Sequence, residues 1–275
     1  MIRMENISLV FGLGTPDENA ALENINLSVK KQDYITIIGS NGAGKSSLFN
    51  AIAGTYAPHS GRIFLQENTE SGENPKNAER EITREPEYAR ARYIGRIFQN
   101  PLLGTAGRMT LEDNMVICRQ KGYRGLKISL NRKLREQFRG QLADLGMGLE
   151  NRLSDNVELF SGGQRQALTL LMTVMSRPSL LLLDEHTAAL DPWNAERVME
   201  LTLRFAREYK LTVMMITHNM GQALEMGNRL LMMDRGEIIV DLGAEEKAKL
   251  TTAGLIERFK NIRNRELAHD EMLLG

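Results

Sequence analysis

The sequence predicts an α/β fold whose core holds a parallel sheet, with an antiparallel β subdomain ahead of it and a helical lobe inserted into it. Three observations carry this expectation. Residues 2–11 and 21–29 alternate apolar and polar positions on either side of a Gly/Pro/Asp turn region at 12–19, the period of half-buried antiparallel strands. Residues 34–38 form a short apolar run that leads into a glycine-rich turn and then a helix beginning near Lys45. Residues 180–183 and 212–216 are two more buried-strand candidates, joined by a helical segment over 192–209; strand, helix, strand is the unit of a parallel sheet.

The remaining segments fit around these. Residues 66–88 are polar and charged, lack an apolar period, and read as a solvated insertion or extended loop. Helical periodicity dominates 101–177, with 126–145 the longest amphipathic stretch. Strands around 229–234 and 237–241 complete the sheet. Leu255, Phe259 and Ile262, spaced i, i+4 and i+7, mark a short amphipathic helix expected to dock on its own domain. The expected organisation is one domain over 1–275: β subdomain plus core at 1–100 and 178–243, helical lobe at 101–177, helical tail at 244–275.

Composition excludes several classes. A 42% hydrophobic content supports a sizeable core, and 35 basic against 35 acidic residues leave no net field to hold nucleic acid or an anionic bilayer. The longest apolar runs, 180–183 and 230–233, fall far short of the roughly 20 residues that span a membrane. The first ten residues lack the pattern of a secretion signal. The single cysteine, Cys118, rules out an internal disulfide and reads as a plain buried or half-buried thiol. Together these suggest a soluble protein of the reducing cytosol, whose membrane attachment would come through a protein partner. Many of the 15 methionines, such as Met214, Met215, Met232 and Met233, lie in strand-like runs as core filler.

The run Gly39-Ser40-Asn41-Gly42-Ala43-Gly44-Lys45-Ser46, continued by Ser47, satisfies the phosphate-loop spacing G-x-x-x-x-G-K-[ST] between an apolar strand and a helix. Glycines let backbone N–H groups point inward at phosphates, and the helix presents its positive end to the same anion. Lys45 would reach the β- and γ-phosphates, and Ser46 would help coordinate Mg²⁺. The 180–183 strand ends in Asp184 and Glu185, and ligands in open parallel sheets bind at the carboxyl ends of strands. Successive strand residues face opposite ways. Asp184 is therefore expected to hold the metal and Glu185 the attacking water. These parts define a phosphate-loop NTPase core with Mg²⁺ as its metal, and nothing narrower.

A third motif narrows the class. Phe160-Ser161-Gly162-Gly163-Gln164, opening a helix that runs to about Ser176, resembles the LSGGQ signature of ATP-binding cassette (ABC) ATPases, with Phe160 in place of the first leucine. Physically it is a second helix N-terminus, with a serine hydroxyl and bare glycine amides but no lysine. The resemblance follows the family's order from about residue 2 to 241. It implies that Gln99 touches the metal or the attacking water, that Ala189-Leu190-Asp191 is a loop at a dimer seam, and that His218 contacts the γ-phosphate. It further implies that Phe11 stacks on adenine, and that the signature of one subunit closes on the ATP of another. Two departures stand out: Phe160, expected to alter packing only, and His186, for which the sequence offers no role. By the same resemblance the partners would be a second copy or a homologous ATPase, separate transmembrane permease subunits, and an extracytoplasmic substrate-binding protein. The chain would then work at the cytoplasmic face of the membrane in uptake of a small solute such as an amino acid. A soluble ABC ATPase acting as a mechanical switch, and an exporter ATPase, are the alternatives.

Overall fold

The computed structural model describes residues 1–66, 79–119 and 130–259. They fall into two compact units, one of 1–66, 79–84 and 214–259, the other of 85–119 and 130–213.

In the first unit, β1 (Ile2–Phe11) and β2 (Asn19–Val29) form the expected antiparallel pair, with buried and exposed positions alternating along β1. The ladder slips between Met4 and Ile7. Asn6 and Asn24, at φ 50° and 47°, absorb the irregularity in the left-handed region, which Asn tolerates better than most residues. The four-stranded sheet continues through β4 (Ser60–Gln66) to β5 (Glu79–Glu81) in the order β2-β1-β4-β5. Of the 66–88 stretch, 67–78 lies outside the described residues. Over 79–88 the expectation of a solvated insertion or extended loop is corrected: β5 pairs with β4, Ile82 is buried, and the Thr83 hydroxyl accepts from the Ile63 amide at 2.9 Å. A three-residue strand anchored by one isoleucine is too short to leave a period.

The same unit contains β3 (Tyr34–Gly39), parallel to β9 (Arg229–Asp234), which pairs antiparallel with β10 (Glu237–Leu242). On the other side of β3 lies β8 (Thr212–Ile216), beyond which the Thr217 amide donates to the Ile37 carbonyl at 3.1 Å. β3 is buried from Ile35 to Ile38, and its one polar side chain, Thr36, donates to the Ala223 carbonyl at 2.8 Å, as a buried hydroxyl requires. α1 (Lys45–Ala53) follows β3 directly. After α7 (Met220–Glu225) and α8 (Ala244–Lys247), a helical run at 252–259 docks as expected. Leu255 is fully buried among Ile38, Leu230, Met232 and Leu242, with Phe259 packed against the cluster. Ile262 lies outside the described residues.

In the second unit, β6 (Ile94–Ile97) and β7 (Leu180–Asp184) are parallel, Ile97 opposite Leu183, so the segments that follow them emerge at one end. Between them in sequence come α3 (Leu111–Arg119), α4 (Arg132–Ala143) and α5 (Gly162–Met175), and after β7 comes α6 (Pro192–Glu208). The short α2 (Glu87–Arg90) precedes β6. α5 is buried over most of its circumference, from Gln166 through Val174, as befits a helix packed on several sides.

The docking of 252–259 predicts that Leu255→Ala lowers the unfolding free energy by about 2–5 kcal/mol, the usual cost of truncating a buried leucine. A denaturant midpoint that does not move would show the tail to be energetically detached.

Candidate nucleotide site

The Gly39–Ser46 loop sits between β3 and α1. Its geometry depends on Gly44, at φ +94°, where an added Cβ would lie 2.5 Å from the Ala21 carbonyl oxygen, so any larger residue would displace the loop. Lys45 is buried, and its Nζ donates to the carbonyls of Gly39 and Ser40 at 2.9 and 2.8 Å, holding the ammonium inside the curve of the loop. Two braces from the β9–β10 turn hold the loop from outside: Ser40 Oγ donates to Asp234 Oδ1 at 2.8 Å, and the Gly236 amide donates to the Ala43 carbonyl at 3.1 Å. Asp234 was invisible to the sequence reading because it lies 194 residues from its partner.

α1 begins without a side-chain cap and without an acidic residue in its first turn. Every other described helix of nine or more residues is capped: α3 by Thr110, α4 by Asn131, α5 by Ser161 and α6 by Asp191. The orphan N–H groups of α1 and the adjacent ammonium form a cradle of donors suited to an anion. The residues present therefore fit a phosphate chain. His218 is exposed just past the end of β8, beside the β3 terminus that opens into the loop, and Phe11 is a partly exposed ring set edge-on to Tyr56 with centroids 5.2 Å apart. Tyr56 belongs to no motif.

The second unit gathers the other predicted groups. Gln99, exposed, follows β6, while Asp184 and Glu185 end β7. Asp184 Oδ2 accepts from Arg96 Nη2 at 3.0 Å, both side chains being largely buried, and the guanidinium lies over the Phe98 ring at 4.6 Å. Sequence reading gave Arg96 no role; it becomes visible only when β6 and β7 are aligned. Gln99 and Asp184 in this unit, like Ser46 in the first, each carry a hard oxygen donor of the kind Mg²⁺ prefers. Among the described residues no cluster of three or more His, Cys, Asp or Glu side chains could hold a metal ion.

The signature segment opens α5 with a capping box. Ser161 Oγ accepts from the Gln164 amide at 3.2 Å while Gln164 Oε1 accepts from the Ser161 amide at 3.1 Å, a capping box that uses the serine lone pair within the helix. The Ser161 proton and the amides of Gly162 and Gly163 lie outside that box. Gly163 is buried, and a Cβ there would fall 2.3 Å from the Asn194 side chain, whereas one on Gly162 would meet only Leu190 at 3.6 Å. Phe160 is buried under the Arg152 guanidinium, a packing role as expected. Asp191 caps α6 through the Asn194 amide, and hydrogen bonds from Asn194 hold its carboxyl below the ordinary range.

His186, left without a role by the sequence, is buried. Thr202 gives its single hydroxyl proton to the Val198 carbonyl at 2.8 Å, so at 3.0 Å His186 Nε2 must be the donor to Thr202 Oγ1. The ring is thus the neutral Nε2–H tautomer, and burial pushes its pKa down to about 4. Cys118 is half-buried, and burial raises its thiol pKa.

Comparison with known proteins agrees with this geometry. The family model described as ABC transporter matches residues 22–188. The chain belongs to the ABC transporter family of ATP-binding proteins. It is 38% identical to the tyrosine transport ATP-binding protein of Clostridioides difficile over 94% of this chain and 99% of that one. It is 32% identical to a methionine import ATP-binding protein of Enterococcus faecalis over 99% of this chain and 75% of that one, and 31% identical to an energy-coupling factor transporter ATP-binding protein of Methanosarcina acetivorans over 98% and 92%. The dimeric structure of a bacterial ABC transporter cassette shares the fold with a TM-score of 0.70, covering 89% of this chain and 99% of that one at 24% identity. This ABC protein is accordingly an ATP-binding, ATP-hydrolysing transporter subunit, and no helix among its described residues is long and apolar enough to cross a membrane.

For His186 the unfolded side chain binds its proton near pH 6.5 and the folded one only near 4, so the unfolded state holds more protons between these values. Stability is therefore full above pH 6.5 and is lost as pH falls toward 4, by about 3 kcal/mol. His186→Asn is expected to flatten that acid limb in denaturant titrations at pH 7 and 4.5; an unchanged limb would assign acid sensitivity to other groups.

Proposed function

We propose that this ABC subunit powers uptake of a small solute, in the first instance an amino acid, by binding MgATP between two copies of itself and passing the resulting motion to separate permease subunits. The observation that carries the reading is the near end-to-end match to a tyrosine transport ATP-binding protein, reinforced by the match to a methionine import ATP-binding protein. A substrate-binding protein outside the membrane would choose the solute, since nothing in this chain need touch it.

In this reading the phosphates lie on the amides of the Gly39–Ser46 loop and of Ser47, with Lys45 leaving its loop carbonyls to meet them and Phe11 stacking on adenine. Ser46, Asp184 and Gln99 would hold Mg²⁺, which would supply positive charge to the phosphates. Glu185 orients and deprotonates the attacking water, and His218 contacts the γ-phosphate. Ser161, Gly162, Gly163 and Gln164 complete the site of the opposing copy, the capping box holding the α5 N-terminus in shape. Support for a pair comes from the dimeric neighbour of the same fold and from a signature that offers amides without a cation of its own.

Two experiments test the reading. Glu185→Gln is expected to bind MgATP at wild-type affinity, to hydrolyse it at least 100-fold more slowly, and to accumulate as an ATP-dependent dimer by light scattering. Gly162→Asp in that background puts a carboxylate at the α5 N-terminus with room to fit, and should abolish the dimer while monomer ATP binding persists. Dimers surviving in the double variant would remove the shared site. For transport, labelled tyrosine and methionine are offered to cells with and without the intact gene, and proteins retained by the subunit from detergent-solubilised membranes are identified. Lost uptake together with a retained permease supports import, whereas unchanged uptake with accelerated retention of a solute inside the cell would point to export.

A further inference from the structure

Gln166 stands five residues beyond Ser161 on the signature helix and belongs to none of the segments assigned a role above. It is completely buried. Its Nε2 donates to the His186 carbonyl at 2.7 Å and to the Phe98 carbonyl at 3.1 Å. These carbonyls belong to the residues immediately flanking Glu185 and Gln99. One amide group thus ties the backbone beside the proposed water-orienting carboxylate to the backbone beside the proposed metal-contacting amide, all within the second unit.

Two further features show that the tie is held under constraint. Both partners are carbonyl oxygens, so only the NH₂ end of the amide can face them and the side chain cannot flip. Gln166 Oε1 is left buried without a partner, a state folded proteins normally avoid. Glu185 meanwhile sits at φ +47°, in the left-handed region that a non-glycine residue holds only when its surroundings fix it. What fixes it is visible: the Ala188 amide closes a turn onto the Glu185 carbonyl at 2.9 Å, the His186 ring is anchored to Thr202 on α6, and the His186 carbonyl is anchored to Gln166 on α5.

We propose that Gln166 is a positioning residue for ATP hydrolysis, its side-chain amide bridging the Phe98 and His186 carbonyls so that Gln99 and Glu185 keep a fixed mutual placement while α5 carries the signature. This rests on the roles proposed for Glu185 and Gln99. Gln166 touches neither substrate nor metal, so its loss should slow the chemical step and leave nucleotide capture by the Lys45 loop intact.

The test uses the full-length protein. Gln166→Glu keeps the shape but sets carboxylate oxygens against two carbonyls, and Gln166→Met keeps most of the volume with no donor, so one variant can be read if the other does not fold. The expected result for either folded variant is a 10- to 100-fold fall in kcat, the scale of effect that small misplacements of reacting groups produce, with KM for ATP within about twofold and an unchanged dissociation constant for a fluorescent ATP analogue. Wild-type kcat in a folded variant, or a kcat loss matched by an equal loss of analogue affinity, would overturn the proposal. Glu185→Gln is assayed alongside. If it turns over normally, the underlying assignment of Glu185 has failed; if it is inactive while the Gln166 variants are normal, only the positioning role has failed.

Discussion

The first residues of α1 carry backbone N–H groups that no helix can satisfy from within, and here the cap residue, Gly44, brings no side chain to them. Every other long helix described in the molecule closes its N-terminus with a Ser, Thr, Asn or Asp. Much of the first unit follows from keeping that one end open. β3 is buried along its length so that it delivers the loop at a fixed position, Gly44 admits the Ala21 backbone at a distance no side chain would allow, and Asp234 and Gly236 hold the loop from the next strand. Lys45 folds back on the carbonyls of its own loop, so the ammonium is held inside the curve of that loop.

This also explains what could be read from the sequence. The phosphate loop was legible because its requirements are local: glycines for backbone approach, a lysine, and a strand and helix on either side. β1, β3, β7 and β8 were legible because their periods are long enough to register. β5 was missed because three residues and one buried isoleucine make no pattern. Arg96, Gln166 and His186 were missed for a different reason. Their partners lie 88, 68 and 16 residues away, and nothing in an arginine between glycine and isoleucine, or in a glutamine within a helix, announces an ion pair or a bridge. The capping box between Ser161 and Gln164 could not be read from the motif alone, because it depends on the side-chain placement at the α5 N-terminus.

The groups assigned to ATP chemistry divide between the two units. Lys45, Ser46 and His218 belong to the first, and Gln99, Asp184, Glu185 and the signature to the second. Each set is held by bonds inside its own unit: Ser40 to Asp234 and Gly236 to Ala43 in one, Arg96 to Asp184 and Gln166 to two carbonyls in the other. Each unit therefore fixes its own set of groups by its own contacts. That division suits a transporter motor, because free energy spent assembling a site locally is not available to move a partner.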